Sequence, residues 1–177
     1  MSGSILLLPG IGNSGRGHWQ TLWADTHAST QRIDGQDWDN PVCAKWVDNL
    51  EAAIRRSGSG TVLVAHSLAC LQVAHWAQRS STPIKAALLV AVPDPDAASF
   101  PSQATGFSPL ELQRFAFPSI VVASSDDPYG SLEHSQRCAQ GWGSRLVEIG
   151  ARGHINAGSG LGDWVQGWGL LGEWVGG

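Results

Sequence analysis

The strongest constraint on the fold of this 177-residue chain is a series of short apolar runs rich in Val, Ile and Leu. Each run is long enough for a β-strand but far too short to cross a membrane as a helix. Five runs are clear, at residues 4–8, 61–65, 84–92, 119–123 and 145–149, and a weaker sixth lies at residues 31–34. Largely continuous apolar runs predict strands that are covered on both faces of a sheet.

Segments of helical length separate these runs. The candidates are residues 18–27, 42–56, 68–79, 132–142 and 161–175. Strands that alternate with helices predict right-handed crossovers and a mostly parallel sheet, and therefore a three-layer α/β/α sandwich. No internal repeat, low-complexity tract or linker divides the sequence, and 42% of its residues are hydrophobic. We therefore expect a single domain over residues 1–177.

Composition narrows the classes of function. The formal net charge is −4 and the sequence contains no basic stripe, so we expect no nucleic-acid partner. The first residues lack the basic segment and the apolar length of a signal peptide or membrane span, which predicts a soluble cytoplasmic protein with no membrane partner. The sequence contains three cysteines, an odd number, and they are widely spaced, at Cys43, Cys70 and Cys138. That spacing indicates neither a disulfide framework nor a zinc site.

The run at residues 61–65 continues into a candidate nucleophile. Ser67 follows it with alanines two positions before and two positions after, Ala65 and Ala69. A small-x-Ser-x-small turn between a strand and a helix is typical of the nucleophile elbow, although glycine is commoner at both flanking positions. The N–H of Leu68 would then lie at a helix N-terminus, where it could donate to an oxyanion. Alternatively, Ser67 only caps the following helix.

An acid and a histidine follow later strands in the order that this chemistry requires. Asp126 and Asp127 come directly after the run at residues 119–123, and His154 comes after the run at residues 145–149. The order Ser, Asp, His, with each residue just beyond a strand, is that of the α/β-hydrolase triad. Asp127 precedes Pro128, which favours an extended backbone at Asp127, so we predict Asp127 as the acid and Asp126 as the alternative.

The loop after the first run is rich in glycine. The N–H of Ile11 is the candidate for a second oxyanion donor, because it follows a Pro-Gly pair at the strand end. The stretch Gly10-Ile11-Gly12-Asn13-Ser14-Gly15 also matches the GxGxxG of dinucleotide-binding loops. Only Asp34 or Asp37 could supply the acidic residue that such a loop needs about 20 positions further on.

Seven short motifs together resemble the small serine hydrolases of the retinoblastoma-binding protein 9 and YdeN-like family, within the α/β-hydrolase superfamily. They are LPG at 8–10, GHWQ at 17–20, QDW at 36–38, HSL at 66–68, SDDP at 125–128, GHIN at 153–156 and GLGDW at 160–164. The resemblance implies six parallel strands in the order 2-1-3-4-5-6, and it implies that the second aspartate, Asp127, is the acid. Ala65 departs from the glycine that this family usually carries.

These observations predict a serine hydrolase that cleaves a small or medium acyl ester and needs no cofactor or metal. Residues 93–117 are too few for a full lid domain, so the site should be open. We expect its walls to include four side chains, His18, Trp19, Phe107 and Trp164. Thioesterase, amidase and peptidase activities, and a catalytically silent binding protein, are the alternatives. The oligomeric state stays open.

Overall fold

The computed structural model describes residues 4–175. Its strands are β1 (Ile5–Leu8), β2 (Thr30–Arg32), β3 (Val62–His66), β4 (Ala86–Val90), β5 (Ser119–Ala123) and β6 (Arg145–Glu148). Its helices are α1 (Trp19–Thr26), α2 (Cys43–Ser57), α3 (Leu68–Arg79), α4 (Leu132–Trp142), α5 (Val165–Gly169) and α6 (Gly172–Val175), with a single 3-10 turn at Ala157–Ser159.

The six strands form one sheet in the order β2-β1-β3-β4-β5-β6, and every neighbouring pair is parallel. The predicted fold class and strand order are therefore confirmed. β2 lies at one edge of the sheet and is half exposed, which explains why its run in the sequence is weak. In contrast, β1, β3, β4 and β5 are buried along their whole length, as continuous apolar runs predict.

Two apolar cores cover the two faces of the sheet. Leu6 and Leu8 of β1 point into the core beneath α2, α3 and α4, whereas Ile5 and Leu7 point into a core that contains Trp19, Trp23 and Trp164. α1, which follows β1, packs into the core with Trp19 and Trp23, whereas α3, which follows β3, packs into the other core. The helices after two neighbouring strands therefore cover opposite faces of the sheet. A crevice opens at the carboxyl ends of such strands.

The structure corrects the prediction for the C-terminal region. A single helix was expected over residues 161–175, but the chain forms two short helices, α5 and α6, that begin only at Val165. Gly160, Gly162 and Trp164 all have positive φ angles, of 66°, 59° and 43°. The glycines make this left-handed backbone accessible, and it cannot continue an α-helix. Among the described residues, no helix has both the length and the apolar character that a membrane crossing requires.

Other predicted boundaries shift by one or a few residues. The strand expected over residues 84–92 spans Ala86–Val90, because Ala91 adopts a left-handed φ of 58° directly after it. The helix expected over residues 18–27 loses both terminal residues. His18 becomes its N-cap, with Nδ1 accepting from the Gln20 N–H at 3.1 Å, and His27 becomes its C-cap.

Candidate active site

Ser67 occupies a sharp turn between β3 and α3. Its φ of 55° and ψ of −125° lie outside the helical and strand regions, and its N–H donates to the Val90 carbonyl of the neighbouring strand at 2.9 Å. Although Ser67 stands at the N-cap position of α3, its side chain makes no capping hydrogen bond. The helix-cap alternative therefore does not describe this serine, whose hydroxyl is left for another partner.

That partner is His154. Its Nε2 lies 2.7 Å from Ser67 Oγ, and its Nδ1 lies 2.8 Å from Asp127 Oδ1. Because a carboxylate oxygen accepts, Nδ1 carries the proton and Nε2 is left to accept from the serine hydroxyl. The side chains of His154 and Asp127 are only 10% and 3% exposed. The structure thus brings the three predicted residues into one hydrogen-bonded chain.

The two aspartates have different surroundings. Asp127 Oδ1 accepts from His154 and also from the Tyr129 N–H at 3.0 Å. Asp126 is exposed, and its Oδ1 accepts from the Gly153 N–H at 2.7 Å and from Ser124 Oγ at 2.9 Å. These two hydrogen bonds lower the pKa of Asp126 below its usual value. Asp127 is therefore the aspartate that contacts the histidine, and Asp126 binds the backbone of the histidine loop.

The loop after β1 lies against the serine. A Cβ added to Gly10 would be 3.0 Å from both the His66 carbonyl oxygen and Ser67 Cβ, and 3.4 Å from the Leu68 nitrogen. Only glycine allows this approach, so the small residue that the elbow needs is supplied by Gly10 as well as by Ala65. The loop is fixed further on, where the Gly12 N–H donates to the Trp38 carbonyl at 2.8 Å. Ile11 and Leu68 both line the cavity beside Ser67, and they remain candidates for the oxyanion donors.

A cavity of about 520 Å³ opens above Ser67 and His154, within the size range of small-molecule sites. Its apolar and aromatic wall residues include Ile11, Leu68, Pro93, Phe100, Pro101, Tyr129 and Ala157, and its polar ones include Asn13, Ser99, Gln103 and Asn156. Of the four predicted wall residues, His18 lines the cavity. No group of three His, Cys, Asp or Glu side chains in the described range 4–175 is arranged to hold a metal ion.

The predictions for the other three wall residues are wrong. Trp19 and Phe107 are each 1% exposed and Trp164 is 3% exposed. Trp19 and Trp164 pack against each other in one core, and Phe107 packs against Trp46 in the other. Trp19, Phe107 and Trp164 therefore stabilise the two cores by burying apolar surface, and none of them lines the cavity.

Sequence reasoning missed the aromatic side chains that do form the wall, Phe100 and Tyr129. Tyr129 follows the Asp-Pro pair directly, and its ring contacts the edge of His154 with centroids 4.6 Å apart. Phe100 belongs to the connection between β4 and β5, and the sequence analysis expects this connection to border the site. Its position in that connection is the signal that could have identified Phe100 as a wall residue.

Two further histidines lie beside the triad as neutral rings. Burial, helped by Arg32 and His154, lowers the pKa of His18 to about 4. Burial also holds the pKa of His66 well below its usual value, with His18 and His154 adding to the effect. The His18 and His66 rings are in contact, with centroids 4.6 Å apart. Cys70, one turn after Ser67, is fully buried and its pKa is well above the usual value, as expected of a packed thiol.

Comparison with known proteins identifies relatives over almost the whole chain. The family model described as Serine hydrolase matches residues 5–173. A YdeN-like hydrolase from Pectobacterium atrosepticum superposes with a TM-score of 0.86 at 29% identity, covering 98% of this chain and 91% of that one. The ydeN gene product of B. subtilis superposes with a TM-score of 0.74 at 21% identity, covering 98% of each chain.

A more distant structure shares the fold. The type II thioesterase BorB from the borrelidin biosynthetic cluster has a TM-score of 0.70 at 14% identity, with 99% of this chain and 93% of that one covered. A search among curated proteins found no match.

Proposed function

Since this chain belongs to the serine hydrolase family and is similar to its YdeN-like members, we propose that it cleaves a small or medium acyl ester with Ser67 as the nucleophile. One observation carries the proposal: Ser67 Oγ, His154 and Asp127 form a continuous chain of hydrogen bonds of 2.7 Å and 2.8 Å at the floor of a cavity. A serine, a base and an orienting acid in this order are the groups that acyl transfer needs.

The reaction would proceed in two steps. Ser67 Oγ attacks the ester carbonyl carbon while His154 Nε2 takes the hydroxyl proton, and Asp127 stabilises the imidazolium that forms. His154 then gives this proton to the leaving alkoxy oxygen, the carbon–oxygen bond breaks, and an acyl-Ser67 remains. In the second step His154 takes a proton from water, the resulting hydroxide attacks the acyl carbon, and the proton returns to Ser67 as the acid leaves.

The oxyanion formed in each step would be stabilised by the N–H groups of Ile11 and Leu68. Leu68 is the first residue of α3, a helix of 12 residues, so its N–H points away from the helix and the helix dipole favours a negative charge there. The Ile11 N–H would be the second donor, because Gly10 packs directly against Ser67 and Leu68 and so brings the loop after β1 beside the serine. Two backbone donors that converge on one oxygen are the usual form of an oxyanion hole.

The substrate class follows from the cavity. Its volume of about 520 Å³ and its mixture of apolar and amide side chains suit a compact, uncharged acyl group, with Phe100 and Tyr129 as apolar contacts. We also propose that the enzyme acts in the cytoplasm, because Cys43, Cys70 and Cys138 are buried free thiols, the state that a reducing compartment maintains.

The test is labelling and turnover of the intact protein. Wild type should react with a fluorophosphonate probe and hydrolyse p-nitrophenyl esters, with preference for shorter acyl chains. Ser67→Ala should abolish labelling and lower kcat by about 10³-fold or more. Ser81→Ala is the control, because this exposed serine precedes the amino end of β4 and does not line the cavity, which opens at the carboxyl ends of the strands. An active Ser67→Ala enzyme, or a wild type that binds esters without turnover, would refute the proposal.

A further inference from the structure

The turn that carries His154 contains a strained residue. Ile155 has a φ of 50°, and its side chain is completely buried. A β-branched residue in the left-handed region is strained, and it persists only where its surroundings hold it there. The position of the histidine ring depends on this turn, because His154 directly precedes Ile155.

Two side chains hold the peptide groups on either side of Ile155. His66 Nε2–H donates to the His154 carbonyl at 2.9 Å, and Trp19 Nε1–H donates to the Ile155 carbonyl at 2.8 Å. The first carbonyl belongs to the peptide plane before Ile155 and the second to the plane after it. Fixing both planes fixes φ and ψ of Ile155, and with them the direction from which His154 enters the site.

The two donors form a packed unit with the histidine. The Trp19 and His66 rings meet at 89° with centroids 6.0 Å apart, and the His66 and His154 rings lie 5.1 Å apart. Burial keeps the pKa of His66 well below its usual value, so its ring is neutral. A neutral imidazole beside a carbonyl oxygen must carry its proton on the facing nitrogen, because the carbonyl can only accept.

We propose that His66 and Trp19 are positioning residues that clamp the turn at Ile155 and thereby keep His154 Nε2 opposite Ser67 Oγ; this inference rests on the proposed function. His66 is the last residue of β3 and directly precedes Ser67, so the clamp ties the base to the strand that presents the nucleophile. Neither side chain is required to touch the substrate.

Loss of the clamp should affect turnover more than binding. Displacing a catalytic group by about 1 Å can cost on the order of 100-fold in rate. Ground-state binding depends instead on the cavity wall, which includes His66 but not Trp19, so Trp19 gives the cleaner separation of kcat from KM. The clamp therefore predicts a fall in kcat with little change in KM, and a parallel fall in the rate of fluorophosphonate labelling, which also needs an activated serine.

The experiment compares two replacements of His66. His66→Leu removes the donor at similar volume, and we expect kcat to fall by about 10- to 100-fold with KM within about 3-fold of wild type. His66→Gln places an amide N–H near the position of Nε2 and should recover most of the lost kcat. His75→Leu is the matched control, because His75 Nε2 also lies 2.9 Å from a backbone carbonyl, that of Phe107, but neither residue lines the cavity. It should leave kcat unchanged.

Trp19→Phe supplies an independent test should His66→Leu fail to fold. It removes the indole N–H and keeps a smaller aromatic ring in the core, and it should lower kcat in the same way. The clamp is refuted if His66→Leu, or failing that Trp19→Phe, retains wild-type kcat while Ser67→Ala is inactive. If Ser67→Ala is active, the proposed function itself fails.

Discussion

The turn that carries Ser67 and the turn that carries His154 each contain a residue other than glycine in the left-handed region, and they are held in different ways. At the elbow, Ser67 has a φ of 55° and is tied by the main chain, since its N–H donates to Val90 at 2.9 Å and its carbonyl accepts from the Cys70 N–H at 2.8 Å. At the histidine turn, one main-chain bond, from the Ile155 N–H to the Arg152 carbonyl at 3.2 Å, is joined by four bonds to side chains, those of His66, Trp19, Ser124 and Asp126.

The two turns should therefore differ in how well their geometry tolerates substitutions. The geometry of the elbow is fixed by the pairing of β3 with β1 and β4, so any sequence that forms this sheet and keeps small neighbours reproduces it. The geometry of the histidine turn depends on donors and acceptors contributed by three other segments of the chain. Single substitutions should therefore disturb the base more readily than the nucleophile.

The largest effect should distinguish the two aspartates of the acid loop. Asp127→Asn should lower kcat by about 10⁴-fold, because an amide no longer stabilises the correct histidine tautomer. Asp126→Asn keeps an oxygen that can accept from the Gly153 N–H, and we expect a loss of less than about 10-fold. Steady-state kinetics on one ester measures both variants. Equal losses would mean that the acid role does not belong to Asp127 alone.

An intermediate effect should come from Gly10, because the elbow has no room for a side chain at this position. Gly10→Ala would bring a methyl group to 3.0 Å from the His66 carbonyl oxygen and from Ser67 Cβ. The loop must then move, which displaces the Ile11 N–H, and loss of one oxyanion donor costs about 100-fold in kcat.

Gly17→Ala is the control for this substitution. It lies in the same loop, and its added Cβ would make only an ordinary contact with Ala157 at 3.9 Å. Kinetics and thermal unfolding should show nearly wild-type values for Gly17→Ala. Unchanged kcat in Gly10→Ala would show that the elbow does not need this close approach.

The smallest effect should appear in the response of stability to pH. His18 has a pKa of about 4 in the folded protein and about 6.5 when unfolded, so the unfolded state binds its proton first as the pH falls. From pH 7 to pH 5 this residue should cost about 2 kcal/mol of the free energy of unfolding. His66, whose pKa is also lowered, adds a loss in the same direction.

His18→Asn tests this assignment, because asparagine can still cap α1 while it does not titrate. Denaturant unfolding at pH 7 and pH 5 should show a smaller loss of stability for the variant than for wild type. The dependence that remains should include His66 and His134, because burial lowers the pKa of both. An identical loss in both proteins would contradict the assignment to His18.

The sequence predicted the fold and the meeting of Ser67, Asp127 and His154 at one place, because both follow from local patterns. Buried strands are readable as apolar runs, and the carboxyl ends of parallel strands meet at one edge of the sheet. Residues that follow β3, β5 and β6 are therefore neighbours in space whatever lies between them. The family resemblance, which the family comparison confirms, added the strand order.

The side chains around the triad were predicted poorly, because their places depend on long-range packing. Nothing near Trp19 in the sequence indicates that its N–H will meet the Ile155 carbonyl, 136 positions away. The HSL motif likewise places His66 beside the nucleophile but does not predict its contact with the His154 carbonyl, 88 positions away. Similarly, the helical pattern after residue 161 gave no sign that Trp164 would be buried in a left-handed backbone conformation.

The left-handed isoleucine also has a consequence for protein engineering. A directed-evolution screen that rewards heat resistance alone should favour substitutions that let the backbone around Ile155 relax, because relaxation releases stored strain. Such gains would come at the expense of turnover, as trade-offs between stability and activity commonly do. A library that aims to keep activity should therefore hold residues 19, 66 and 155 constant and place its diversity on the exposed faces of α2 and α4.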